Sequence, residues 1–354
     1  MTSGGDVALD VNSLRGKIGA AVANDTIRFD PALNGTAIVL TGEIAFGTSN
    51  LTISGNGATN TIIDGGGVGR VFNITANVRV TFDGVTIRNG RVIGDGGGIF
   101  SGGGAVTLTN STVSGNTASG GNGGGIWSNG AMTLTNSTVS GNSARSGGGG
   151  ILVSSGGTIA NSIIIGNTAP TGAEIVTNTS GSILNFAGAN IVGTNGVNGI
   201  TGVFAYPGIG PITPTGAANT VIVTTLANNG GPTQTFALAP NSIAIDASTT
   251  AGGATPTTSD QRGVATIGLR DLGAFEFGTK STLAPTPTST STPISTSTPI
   301  SRSGFGGVFP SREDLERLSS RLDEQDIEVS FTKVLCLAPS LATAQTTSIP
   351  TCKK

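Results

Sequence analysis

The chain has 354 residues, including 58 glycines and no histidine, with 11 % charged and 4 % aromatic side chains and a formal net charge of −2. Without histidine there is no Ser–His–Asp triad, no imidazole metal ligand and no imidazole general base. No Lys/Arg cluster stands outside the C-terminal end, so the basic footprint that nucleic acid requires is missing.

In chain order, Met1–Asp10 (MTSGGDVALD) has neither the basic start nor the apolar stretch of an export signal. Ser13–Val22 (SLRGKIGAAV) places Leu14, Ile18, Ala21 and Val22 on one helical face, with Ser13 as N-cap. Residues 1–25 are therefore expected to form a short amphipathic cap. Strand-like runs at Thr26–Phe29, Ala37–Thr41 and Leu51–Ser54 open a repeat region over 26–225.

Within that region one phrase recurs. Thr81–Gly90 reads TFDGVTIRNG, Thr107–Asn116 and Thr133–Asn142 both read TLTNSTVSGN, and Thr158–Asn167 reads TIANSIIIGN. The matched positions Ile87, Val113, Val139 and Ile164 are 26, 26 and 25 residues apart. GGGI recurs between them at Gly96–Ile99 and Gly123–Ile126, and as GGGGI at Gly147–Ile151. A fixed period in the twenties means one unit stacked repeatedly. Val106 and Leu108 alternate with Thr107 and Thr109, the period of a half-buried strand. No unit holds the helix and leucines of a leucine-rich repeat. The expected fold is all-β: a right-handed parallel β-helix of about eight coils of roughly 24–27 residues, rising about 4.8 Å per coil. Such stacking aligns Asn110, Asn136 and Asn161 in one row and Asn116, Asn142 and Asn167 in another. Both read as structural amide ladders, with Gly115, Gly141 and Gly166 supplying left-handed corners.

Coils continue through Ser180–Gly193, and a Gly/Pro-rich stretch over Tyr206–Pro214 loosens the register. Residues 226–280 read as short strands and turns that close the far end. Residues 281–304 (STLAPTPTSTSTPISTSTPISRSG) read as a solvated Ser/Thr/Pro linker. Residues 305–354 form a small tail with one helix at Ser311–Leu322. Its Cys336 and Cys352 are too few for a Cys-only zinc site or a disulfide framework, and the sequence leaves their bridging open. No run of 18 apolar residues occurs, so no membrane-spanning helix is expected.

Four motifs then carry a family resemblance. LANNGGPTQTFAL (Leu226–Leu238), PNSIAIDA (Pro240–Ala247), TSDQRG (Thr258–Gly263) and RDLGAFEF (Arg270–Phe277) resemble the choice-of-anchor Q domain of bacterial surface proteins. The TNSTVSGNTA…GGGI coils are similar to that family's and to those of chlamydial polymorphic outer-membrane proteins. The entry segment Ser13–Leu33 is similar to the family's Cys-Ser-Leu-Arg-Glu-Ala start, with Asn12 in the cysteine's place and Gly16–Lys17 for Glu-Ala. The resemblance covers residues 10–278. It implies a pectin-lyase-like β-helix on an exported protein, extracellular or at the cell surface, and no established reaction. The expected partners are cell-surface polysaccharide or another surface protein. The expected role is a rigid scaffold for adhesion or assembly, with no catalytic, cofactor-binding or metal-binding residue assigned.

The alternative is a polysaccharide lyase or glycoside hydrolase on the same scaffold, which needs several acids and a basic residue to converge. Asp64, Asp83 and Asp95 with Arg70, Arg88 and Arg91 are where such chemistry would lie, although each Asp sits beside glycine as an ordinary turn former. Asp260, Arg262, Arg270, Asp271 and Glu276 form a denser group that reads as salt-bridged closure. Trp127 and Tyr206 could stack on a sugar ring. The Thr-x-Thr pairs Thr107/Thr109 and Thr133/Thr135 resemble those of ice-binding β-helices. Asp83 and Ala160 interrupt that array, and solvent-facing strand threonine is the simpler reading. Gly121–Trp127 (GNGGGIW) lacks the Lys-Ser/Thr and helix of a phosphate loop.

Overall fold

The computed structural model describes residues 12–277 apart from 49, 57–60, 76, 178–182, 195–198, 203, 206–209, 230–233 and 267. The linker over 281–304, the tail over 305–354 with its helix and two cysteines, and Tyr206 lie outside the described residues.

The fold is a parallel β-helix. Three parallel sheets run along it: a first sheet of eight strands from Thr26–Arg28 to Phe204–Ala205, a second of seven from Ala37–Val39 to Ile191–Val192, and a third of seven from Ile44–Phe46 to Ile200–Thr201. That makes seven complete coils and one further strand, against an expectation of about eight coils. Ile87, Val113, Val139 and Ile164 are successive vertical neighbours in the second sheet. The spacing is less uniform than expected, since Thr52 pairs with Thr81 and Leu184 with Phe204. A fourth, narrower sheet over Arg91–Val92, Thr117–Ala118 and Ser143–Ala144 fills the corner between the second and third.

Every coil turns one residue of each pair inward. Val106, Leu108, Val113 and Ile126 of one coil meet Met132, Leu134, Val139 and Ile151 of the next in a continuous interior core. The early coils add Phe46, Phe72 and Phe82, whose rings lie 4.9 to 6.0 Å apart. Gly115, Gly141 and Gly166 have φ of 64°, 70° and 78°, the left-handed corners expected of them.

The N-terminal helix covers Leu14–Ala20, and the Ser13 hydroxyl accepts from Gly16 N at 3.0 Å. Leu14 and Ile18 are buried, and Arg15 donates to the Gly42 and Glu43 carbonyls beside the edge of the third sheet. Val22, expected on the same helical face, is 66 % exposed. The backbone turns extended at Ala21, so the 3.6-residue period stops before it reaches Val22.

The larger difference concerns residues 226–277. They were expected to close the far end, yet their contacts run back along the outside of the second sheet. Gln261 amide oxygen accepts from Thr112 Oγ1 and its amide nitrogen donates to Thr86 Oγ1. Ala274 N donates to Thr138 Oγ1, and Gly273 N to the Asn161 carbonyl. Beneath this strap lies a second core, in which Ile163, Ile165 and Ile191 of the sheet meet Val221, Ile222, Phe236, Leu238, Leu272 and Phe275. The physical reason is that these isoleucines face outward, opposite the inward Ile164 and Val192. A parallel sheet apolar on both faces must be covered on both.

Candidate functional site

The six early charged residues do not converge. Asp64 and Arg88 are register partners in the second sheet, joined by a 2.7 Å ion pair. Asp64 also accepts from Asn89 Nδ2 and Gly66 N, the latter closing the turn foreseen for it. Arg88 reaches the Gln234 side chain of the strap as well. Asp83 lies in the first sheet, where burial raises its carboxyl above the ordinary value and Arg28 opposes that shift. Asp95 occupies a corner, its carboxylate held by the backbone N and side-chain amide of Asn122. Arg91 belongs to the narrow fourth sheet. Arg70 faces the flank of the third sheet, bonded to the Asp95 and Gly96 carbonyls and to Glu43 at 2.5 Å. Among the described residues, no three Asp, Glu or Cys side chains gather as a metal site would require.

On that third flank the outward positions form a stacked column. Arg70 lies 4.7 Å over the Phe100 ring, and Phe100 lies 4.6 Å from Trp127 with 4° between the planes. Leu152 is the register partner of Trp127 on the following coil. The ring faces thus meet one another along the solenoid axis, and Phe100 occupies one face of Trp127 that a sugar could otherwise use.

One asparagine row is a ladder and the other is not. Asn116 Nδ2 donates to Asn142 Oδ1 at 2.9 Å, and Asn142 Nδ2 donates to Asn167 Oδ1 at 2.9 Å. Asn110, Asn136 and Asn161 instead take the left-handed conformation themselves, with φ of 46°, 47° and 48°. Asn110 accepts from Thr257 Oγ1, Asn161 bonds the Thr249 backbone, and the buried Asn136 amide has no partner among the described residues. A serine ladder went unforeseen. Ser111, Ser137 and Ser162 hydroxyls each accept a backbone N–H from the preceding coil and donate to their own i−2 carbonyl.

Glu174 was also missed. Fully buried, it continues the amide ladder: Oε2 accepts from Asn167 Nδ2 at 2.6 Å and Asn167 N at 3.2 Å, and Oε1 from Gly166 N at 3.0 Å. Burial without a cationic neighbour pushes its carboxyl up to about 7, against the lowering effect of those hydrogen bonds. The sequence does carry a signal, since Glu174 is the lone acid between Asp95 and Asp246.

In the strap, the charged group is a satisfied network. Asp260 pairs with Arg262 at 2.6 Å and accepts from the backbone of Arg262, Val264 and Glu276. Arg262 also lies 3.8 Å over the Phe275 ring. Arg270 pairs with Glu276 at 3.1 Å and donates to the Asp271, Gly273 and Phe275 carbonyls. Burial lowers the Arg270 pKa, and Glu276 opposes that shift. Asp271, raised by burial, is held by the Asp246 and Phe277 N–H groups.

The first sheet presents the longest regular face. Thr26, Thr52, Thr81, Thr107, Thr133 and Thr158 are successive register partners over six coils. The second outward column on that sheet runs Ser54, Asp83, Thr109, Thr135 and Ala160. The interruptions at Asp83 and Ala160 therefore fall in one column and leave the other unbroken.

The chain matches no protein-family model, no curated protein and no solved structure.

Proposed function

We propose that the protein is an exported surface or matrix component whose rigid β-helix offers a flank for adhesion or assembly, with cell-surface polysaccharide or another surface protein as partner. One observation carries this reading. The six-threonine column of the first sheet runs unbroken over six coils, Thr26 exposed and the other five half-buried, while the early acids and arginines are dispersed over separate flanks or tied into turns and ion pairs. A β-helix gives such a face stiffness, because each coil is hydrogen-bonded to both neighbours.

The test is fractionation of expressing cells with protease shaving, followed by adhesion of protein-coated beads to those cells. The expected result is protein accessible from outside and beads retained. Protein confined to the cytoplasm removes the basis of the proposal, and turnover of pectin, alginate or a similar polyanion by purified protein replaces it with the enzyme.

A further inference from the structure

We infer that the corner trough beside the fourth sheet is a binding site for an extended, carboxylate-bearing polysaccharide chain. This rests on the adhesion reading above and adds to the threonine face of the first sheet a second surface, at the corner between the second and third sheets, with its ligand class. The trough is an open groove of about 460 Å³ that runs along the solenoid axis over three coils. One wall is Thr117, Ser143 and Thr168, aligned coil over coil. The other is Ser119, Arg145 and Pro170, with three alanines between the walls. Arg91 is the register partner of Thr117 and stands at the head of the hydroxyl wall.

Three features select the occupant. First, Arg91 and Arg145 are exposed, and among the described residues neither has a salt-bridge partner. Asp95, four residues after Arg91, is turned onto Asn122. The trough therefore offers fixed positive charge to an anion. Second, the Thr117, Ser143 and Thr168 hydroxyls have no protein partner among the described residues and repeat at the coil spacing of about 4.8 Å. A row of donor–acceptor groups at a regular interval suits a polymer that carries hydroxyls at a regular interval. Third, the fourth-sheet strands are hydrogen-bonded along the axis to the coils on either side, through Thr117 N to the Gly90 carbonyl and Ser143 N to the Asn116 carbonyl. Among the described residues, the strands Thr117–Ala118 and Ser143–Ala144 are paired on both sides and leave no free edge for a peptide backbone, which disfavours a protein segment as ligand.

Affinity electrophoresis of the full chain through gels containing alginate, neutral dextran or polyglutamate tests the assignment. Alginate is expected to retard the protein, less so as salt rises, and dextran is not. The double variant R91A/R145A should lose roughly tenfold in apparent affinity, as expected for two solvent-exposed charge contacts. Ser143→Leu, which fills the trough without touching charge, should weaken retardation as well. Circular dichroism of both variants checks that the coils are retained. Unretarded wild-type protein, or retardation that survives both changes, overturns the site. Equal, arginine-dependent retardation by polyglutamate overturns the polysaccharide assignment. If beads still adhere to cells while the variants run like wild type in alginate, this site falls and the adhesion reading stands.

Discussion

Glu174→Gln is the sharpest test of how the interior is held together. The carboxylate sits where the next amide of the Asn116–Asn142–Asn167 ladder would be, accepting three N–H groups, and its pKa is about 7 against an ordinary 4.5. At about 1.4 kcal/mol per unit, keeping it ionised inside the fold costs about 3 kcal/mol. The unfolded chain releases this proton near pH 4.5 and the folded chain near pH 7. Between those values the folded state binds more protons, so stability declines as pH rises through the window and levels off above it. Glutamine removes the titration but turns its NH2 toward donors, a mismatch of about 1 kcal/mol. The variant should be slightly weaker than wild type at pH 4.5 and about 2 kcal/mol stronger at pH 8. Urea denaturation of both proteins across that range reads the difference directly. Asp83 and Asp271, also raised by burial, contribute the same slope to both proteins and cancel. Parallel profiles for wild type and E174Q would refute the reasoning.

Two further outcomes follow from the hydrogen-bond pattern. Asn142 accepts from Asn116 N and Nδ2 and donates to the Val113 carbonyl and Asn167 Oδ1, so Asn142→Ala should cost about 3 kcal/mol. Among the described residues Asn136 finds no side-chain partner, and it sits at φ 47°, so Asn136→Gly should stay within about 1 kcal/mol of wild type. Equal losses in thermal melts of the two variants would mean that the rows are not distinct. Gln261→Ala removes the strap's bond to the Thr112 hydroxyl and one of its two bonds to Thr86, whose hydroxyl still donates to the Gln234 carbonyl. Limited proteolysis should then cut within 226–277 well before the coils, and an unchanged cleavage pattern would show that Gln261 does not hold the strap down.

The coils were legible because their information is local and repeated. Val113 and Val139 sit in identical phrases, and stacking identical phrases can only put them on top of each other. The asparagine rows show where such reading stops. At Gly115–Asn116 the glycine takes the left-handed corner, which frees the asparagine to point inward and join the ladder. At Asn110 the asparagine takes the corner itself and its amide turns outward to Thr257. The same letter does two jobs, and the preceding glycine separates them. The strap was illegible for a different reason. Gln261 meets Thr112 across 149 residues, and no periodicity records a contact of that range. Nothing in the sequence sets Thr86, Thr112 and Thr138 apart from the other strand threonines, although they are buried docking points.

That contrast bears on which flank can meet a partner. On the second sheet the outward row is consumed by the chain itself: Thr86, Thr112 and Thr138 are hydrogen-bonded to the strap, and Ile163 and Ile191 pack beneath it. On the first sheet, Ala160 and Ala187 pack against Ala254 of the same segment. In that column Thr109 and Thr135 precede Ala160, so the side chain shortens to a methyl group at the coil where other backbone comes over it. The neighbouring column keeps threonine through Thr158, which is half-buried where Ala160 is buried. A β-branched residue with a hydroxyl suits a pleated surface facing water and crowds a covered one. The side chains thus mark, coil by coil, where the strap ends and an open face begins, and the longest open face is the one assigned here to adhesion.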